Sequence, residues 1–324
     1  MPIVHHRRPS LLSIPMWIVT RAVLRPTLSW WPLTRSGMAG LYLIDHVLAV
    51  GPKPKGVVRE RMTLAERPAE FILPVGPSRR DTETAILYLH GGAFVVCGLG
   101  SHRSIASRLA QACELPVFSL GYRQLPSSGV GASVADALAA YRELVLERGY
   151  RRVVVAGDSA GGFLAGKIVE GADGEGLPRP TAVIGFSPLL DLDVGTHPDR
   201  SSRSDAYIPQ RKMVELEKLF DRGPVALTGV RRIGDLADDA FPPTAMITAE
   251  GEMLEPDVIG LVEALEAAGV PAVAHSYSWQ IHAFPVLVTR HPETVHAIEK
   301  TAEFTSEAVR AARDADSRNG RRAG

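Results

Sequence analysis

The sequence predicts an α/β architecture: a mostly parallel, eight-stranded sheet with helices on both faces and a helical cap. Three observations predict it. Short β-rich runs alternate with helical patterns from residue 56 onward, the strand–helix–strand order of a layered α/β sheet. Most runs after the second are near-continuously apolar rather than alternating, as strands covered on both faces are. The alternation fails before residue 56 and again between about residues 192 and 240; these two irregular stretches read together as a cap over the C-terminal ends of the strands.

The eight runs are VVRERM (57–62), AEFILP (69–74), AILYLH (85–90), LPVFSLG (115–121), RVVVAG (152–157), TAVIGF (181–186), TAMITA (244–249) and AVAHSY (272–277). No helical pattern separates the first two, so an antiparallel edge is expected there. SHRSIASRLAQA, ASVADALAAYRELVLERG, AGGFLAGKIVEGA and PDVIGLVEALEAAG are the helices, and Gly149 and Gly269 suit the C-caps of two of them. The core then spans 56–191 and 240–311, and the cap takes 1–55 and 192–239. Residues 312–324, poor in apolar side chains, predict a disordered tail.

A hydrophobic fraction of 45% over 324 residues suffices for one sizeable core with an attached subdomain. Lys+Arg and Asp+Glu balance at 36 each, so no basic field points to nucleic acid as a partner. Cys97 and Cys113 are too few for a disulfide framework, and no Cys/His spacing suggests a metal. They read as reduced and buried, and the expected location is cytoplasmic. The N-terminus starts basic and turns apolar at LLSIPMWIVT, superficially like a secretory leader. Pro15 interrupts that stretch, Arg21 ends it, and no small-residue cleavage site follows. It is too short to span a bilayer. Residues 10–50 therefore read as helical segments laid on the main domain, with association to a membrane surface as the alternative. Nothing in the sequence sets the oligomeric state.

GDSAGG, residues 157–162, sits where the strand RVVVAG gives way to a helical pattern. Gly157-Asp158-Ser159-Ala160-Gly161 has the form G-x-S-x-G, and this strand-before, helix-after setting gives the pattern its weight. A sharp turn there projects Ser159 above the sheet edge, while the N–H of Ala160, first in the helix, faces developing negative charge. A serine ahead of a helix also reads as a plain N-cap. A second motif favours the nucleophile. His90-Gly91-Gly92-Ala93-Phe94 follows AILYL, and adjacent glycines can turn their N–H groups toward a ligand. Gly91, Gly92 and Ala160 are thus the candidate oxyanion-hole donors, with His90 as a support for the loop.

HGGAF and GDSAGG, in this order and at this separation, resemble the signatures of the hormone-sensitive-lipase type of α/β-hydrolase esterases. Tyr122-Arg123, Ser187-Pro188 and Pro242-Pro243 are supporting landmarks. The resemblance runs from about residue 56 to the C-terminal helix. It implies the α/β-hydrolase fold, an acyl-enzyme mechanism without metal or organic cofactor, and a triad in the chain order Ser, acid, His. For the base, His90 and His102 precede the serine, His275 lies in a strand run, and His291 and His296 fall in the last helix. His5 and His6 belong to the N-terminal tail and His46 to the cap. His282, in a loop after the last strand, is the candidate base; its His282-Ala283-Phe284 replaces the family's H-G-F. For the acid, AEGEMLEPD stands where the family reads A-E-x-D-P-L-x-D, which puts Glu252 at the aspartate. Glu250, Glu255 and Asp257 compete from the same loop.

Further departures follow. Gly121 and Ser127 replace the acidic positions of D-Y-R-L-A-P-E, so a salt bridge there is lost or rebuilt. Phe163 stands where a small polar residue commonly follows GDSAGG, packing in the core or shaping a pocket. The function expected is that of a serine carboxylesterase acting on short- to medium-chain acyl esters, its partner a small-molecule or lipid ester. Lipase, lactonase, amidase or thioesterase activity, or a non-catalytic binding role on the same scaffold, are the alternatives.

Overall fold

The computed structural model describes residues 2–34, 36–38, 40, 45, 55–76, 82–197 and 200–323. The expectations for residues 41–44 and 46–54 of the N-terminal segment, His46 among them, lie outside the described residues. Among the described residues nine strands form one sheet: β1 (Ile3–His6), β2 (Val57–Leu64), β3 (Arg67–Pro74), β4 (Thr84–Leu89), β5 (Val117–Leu120), β6 (Arg152–Asp158), β7 (Ala182–Phe186), β8 (Thr244–Ala249) and β9 (Ala272–Tyr277). Their spatial order is β1-β9-β8-β7-β6-β4-β5-β3-β2. β3 runs antiparallel to β2 and β5, and the other pairings of the described strands are parallel.

Both faces of the central strands are covered, and the two-residue period of a strand divides the core in two. Ala85, Leu87 and Leu89 of β4 join Val153 and Val155 of β6 in one cluster, which takes in Phe163, Leu164, Val258 and Leu261. Ile86, Tyr88, Val154 and Ala156 point the other way, against Ile105, Leu109, Ala297 and Ile298. The first face is packed by helices Val130–Arg142, Ala160–Gly174 and Glu255–Ala267, the second by Leu99–Cys113 and Pro292–Ala323. Continuous apolar runs were required because each successive side chain meets a different helix layer.

Two expectations are corrected. The sheet has nine strands, not eight, because Ile3–His6 leaves the N-terminal segment and pairs in parallel with β9, Ile3 opposite Ala274 and His6 opposite Tyr277. Four residues between Pro2 and a pair of arginines carry no strand signal of their own; the open edge of β9 supplies the partner groups. The residues read as a disordered tail continue the last helix to Ala323. Arg152, 5% exposed at the start of β6, is the cause: its guanidinium donates to Asp316 Oδ2 at 2.7 Å and to Glu83 at 2.5 Å. A buried cation needs such partners, and composition does not reveal that.

The added edge strand creates a histidine cluster. His6 Nε2 lies 3.0 Å from His275 Nδ1, the His6 ring stacks on Tyr277 at 4.2 Å, and the Tyr277 hydroxyl bonds His296 Nδ1 at 2.8 Å. Burial pulls His275 down to about 4, aided by the charges of His6 and His296, and it lowers His6 as well. An unfolded chain titrates these groups near 6.5, so it binds more protons than the native state between about pH 6.5 and about pH 4. Stability is therefore full above that window and is lost as pH falls through it. Denaturant titrations at about pH 7 and about pH 5 should differ by on the order of 1 kcal/mol, and His275→Gln should flatten the difference. An unchanged slope in the variant rejects this account.

Candidate active site

All parallel strands end at the same sheet edge, which is where an open α/β sheet gathers its functional loops. β4 delivers His90-Gly91-Gly92 there, β6 delivers Ser159, β8 is followed by Glu252, and β9 by His282.

Ser159 alone joins β6 to helix Ala160–Gly174, with φ 49° and ψ −120°. A side chain in so sparsely populated a region costs about 1–3 kcal/mol and persists only where the surroundings over-determine it. Here the Ser159 N–H donates to Phe186 O at 3.1 Å, and its carbonyl accepts from Gly162 N at 2.9 Å and Leu189 N at 2.8 Å. The flanking glycines are demanded by space: a Cβ on Gly157 would sit 2.4 Å from Gly161 O, and one on Gly161 only 1.9 Å from Leu89 O.

The buried Asp158 organises the neighbouring loop. Its Oδ1 accepts from the Tyr88 hydroxyl at 2.7 Å and from the Gly91 N–H at 2.9 Å, while Oδ2 faces His102 Nε2 at 3.1 Å. Burial opposes its charge, but His102 and Tyr88 outweigh that and hold the carboxyl below its ordinary value. The Gly91 bond corrects one expectation. Its N–H donates to Asp158, and Gly91 is not among the residues lining the cavity. The cavity beside Ser159 is lined by Gly92 and Ala93 instead. Both have positive φ, 112° and 54°, and among the described residues no protein acceptor takes the N–H of Gly92, Ala93 or Ala160. His90 supports the loop as expected: Nδ1 lies 2.8 Å from Gly91 O and the ring stacks on Tyr122, whose hydroxyl donates to His90 O at 2.6 Å. Burial drops His90 to about 4, so it is neutral at physiological pH. The missing acidic landmarks are replaced locally, with Arg123 forming a two-pronged pair with Asp136 at 2.7–3.1 Å. Phe163 is fully buried, edge-on to Phe94, outside the cavity wall.

His282 and Ser159 line the same cavity. His282 Nδ1 meets Glu252 Oε2 at 2.9 Å, both side chains buried, so Nε2 is the ring nitrogen outside that bond. Glu252 is itself oriented: Oε1 accepts from Thr248 Oγ1 at 2.5 Å and from Ala249 N at 3.1 Å. The competing carboxylates are occupied elsewhere. Asp257 pairs with Arg200, Glu250 accepts from Ser278, and Glu255 accepts from Ser276 Oγ and Gly251 N. Burial alone would lower His282, but the bond to Glu252 and the charges of Glu252, Asp205 and Asp158 raise it above the ordinary imidazole value. Ala283 has φ 50° and ψ 36°, the left-handed region glycine enters freely, which accounts for the family's glycine here. The bond from its N–H to Ser187 Oγ, 2.9 Å, helps hold it there.

The cavity holds about 320 Å³. Its floor is the serine corner, and its walls are mostly apolar. Leu28, Trp31 and Leu33 come from the N-terminal segment, and Ile208, Met213 and Leu216 from the stretch between β7 and β8.

Residues 86–286 match the model of a family described as the alpha/beta hydrolase fold. A solved esterase from the bacterial hormone-sensitive lipase family superposes with a TM-score of 0.76 at 27% identity, covering 91% of this chain and 98% of its own. The chain belongs to the alpha/beta hydrolase fold family that the match over residues 86–286 defines. Among relatives, esterase LipU of Mycobacterium tuberculosis is 31% identical over 82% of this chain and 93% of its own length. Carboxylesterase/phospholipase LipF of the same organism is 29% identical over 93% of this chain and 83% of its own.

In this α/β-hydrolase two residues escaped the sequence reading. Ala93 was passed over because a motif names residue types, whereas donor direction depends on backbone angles. Asp205, 1% exposed, lies behind the acid loop. Its Oδ2 accepts from Met253 N at 2.9 Å and Oδ1 from Tyr207 and Ile208 N–H at 2.6 and 2.8 Å. Burial and then the charge of Glu252 push its pKa up. It sits in a polar stretch without motif, so no local signal could have found it.

Proposed function

We propose that this α/β-hydrolase is a serine carboxylesterase acting on short- to medium-chain acyl esters. The observation that carries the reading is the His282–Glu252 bond on the wall of the cavity that also holds Ser159. In the forward step, His282 Nε2 takes the proton of Ser159 as Oγ attacks the ester carbonyl carbon. The carbonyl oxygen becomes an oxyanion held by the N–H groups of Gly92, Ala93 and Ala160. Collapse of this intermediate breaks the bond to the leaving oxygen, which receives the proton from His282 and departs as alcohol. Water then gives its proton to His282 and attacks the acyl-serine, and the carboxylic acid leaves with Ser159 reprotonated. Glu252 keeps Nδ1 protonated and stabilises the imidazolium.

The relatives' names, esterase and carboxylesterase/phospholipase, support the ester class. A volume near the lower end of small-molecule sites, roughly 300–1,000 Å³, supports a modest acyl group. Two free cysteines support a reducing, cytoplasmic setting. A series of p-nitrophenyl esters from acetate through butyrate and octanoate to palmitate tests the reading. The expected kcat/KM peaks at butyrate or octanoate. A peak at palmitate, or no turnover of any member, would overturn it.

A further inference from the structure

The helical run at the N-terminus turns an apolar face outward. Ser13–Val19, a π-helical turn Thr20–Leu24 and Arg25–Trp30 follow end to end. The inward side of this run mixes apolar and polar contacts: Met16 and Trp17 pack against the core and Leu28 lines the cavity, and polar side chains tie the run down between them. Ser13 is fully buried and donates to Glu293 Oε1 at 3.0 Å while accepting from Gln280 Nε2 at 2.8 Å. Arg21 donates to the carbonyls of Asp205 and Arg203, both at 2.6 Å, and Arg25 to Ser202 O and Oγ at 2.9 Å. Thr20 is buried as well. The outward side is apolar: Leu11, Leu12, Ile18, Val19, Val23 and Trp30 are exposed, Leu11 by 91% and Trp30 by 73%. These positions follow the three- and four-residue spacing of one helix face. A surface helix normally shows the opposite arrangement, and so large an exposed apolar face marks an interaction site.

We propose that this face docks on an anionic lipid surface. Charge selects this occupant. Residues 1–44 contain five arginines and no Asp or Glu, in a chain whose formal net charge is +0; with Arg21 and Arg25 spent on inward partners, the outward charge of this segment rests, among the described residues, on Arg7 and Arg8. Arg7 and Arg8 are exposed just ahead of the run, and Arg211, paired with Glu215 at 3.3 Å, lies over the Trp30 ring at 4.7 Å. Arginine and tryptophan rimming an apolar helix face is the pattern of an interfacial helix, whose apolar side enters the headgroup boundary while its cations meet anionic headgroups. A second copy seated on the face would bring its own arginines against the first set, like charge on like. The helix lies on the surface rather than across it, since among the described residues no helix is long and apolar enough to cross a membrane. Leu28 and Trp31 of the same segment line the cavity, so docking brings the wall of the ester pocket to the lipid. The docking itself does not depend on the catalytic assignment.

The test is flotation of the full chain with phosphatidylglycerol vesicles and with phosphatidylcholine vesicles, alongside the Val19→Glu/Val23→Glu variant. Both substituted residues lie outside the cavity wall, so p-nitrophenyl butyrate turnover in solution reports that the variant is folded. The milder Val19→Ser/Val23→Ser pair serves if it is not. The wild type should float with phosphatidylglycerol, less so as salt rises, and the charged variant should partition at least about tenfold more weakly with turnover unchanged. Wild-type protein that ignores phosphatidylglycerol vesicles, or a folded variant that floats as well as wild type, overturns the proposal. A wild-type dimer that the variant converts to monomer, with no vesicle binding, overturns it in favour of an interface between copies.

Discussion

Ser159→Ala is expected to lower kcat for p-nitrophenyl butyrate by about a million-fold, the loss seen when a triad serine is removed, while thermal unfolding stays where it was. The second half of this expectation is what gives the first its meaning. The bonds that hold the corner run through the backbone of residue 159, from its N–H to Phe186 and from Gly162 and Leu189 to its carbonyl. Alanine retains all three and carries the same Cβ into the same φ of 49°. Only the hydroxyl is lost, and with it the atom that would carry the acyl group. The same variant should fail to react with a fluorophosphonate probe that labels the wild type at one serine. Near-normal turnover, or unchanged labelling, would remove Ser159 as the nucleophile.

Glu252→Gln should cost on the order of 10²–10⁴-fold in kcat, through the tautomer of His282. Oε1 accepts two hydrogen bonds, from Thr248 Oγ1 and Ala249 N, so the single carbonyl oxygen of a glutamine is drawn to that side. Its NH₂ then faces His282 Nδ1, which must act as acceptor, and the proton moves to Nε2. In that form the imidazole cannot take the proton of Ser159. The pH profile gives a second reading. The bond to Glu252 and its charge raise His282 against the downward pull of burial. Without them burial prevails, so the acid limb of kcat/KM should move to lower pH. Asp257→Asn, which disturbs only the pair with Arg200, should stay within about tenfold of wild type by comparison. If it proves the more damaging substitution, the acid has been misassigned.

Much of the chemistry was legible because it is local. GDSAGG announces a strand-to-helix corner through residues that only such a corner requires, since any Cβ at 157 or 161 would strike backbone atoms. The apolar runs at 85–90 and 152–157 announce strands buried on both faces, and the two core clusters separate their alternate residues accordingly. His282 and Glu252 were readable only with the family's chain order in hand, because 30 residues part them in sequence. Gly91 was misread for a simple reason. Two consecutive glycines look alike as letters, but their N–H groups point differently, one to Asp158 and one to no protein acceptor among the described residues.

By itself the sequence determined the kind of layers, the corner that holds the serine and the set of groups able to move a proton, because these follow from side-chain size, polarity and short-range backbone geometry. The tertiary structure decided which carboxylate meets the imidazole, which amides stay free, that residues 3–6 close the sheet edge, and that a polar tail remains helical. Each of those turns on partners far along the chain: Asp158 for Gly91, β9 for Ile3–His6, Arg152 for Asp316. Such pairings cost chain entropy and are repaid only by contacts that exist once the fold has closed. No local pattern can encode them.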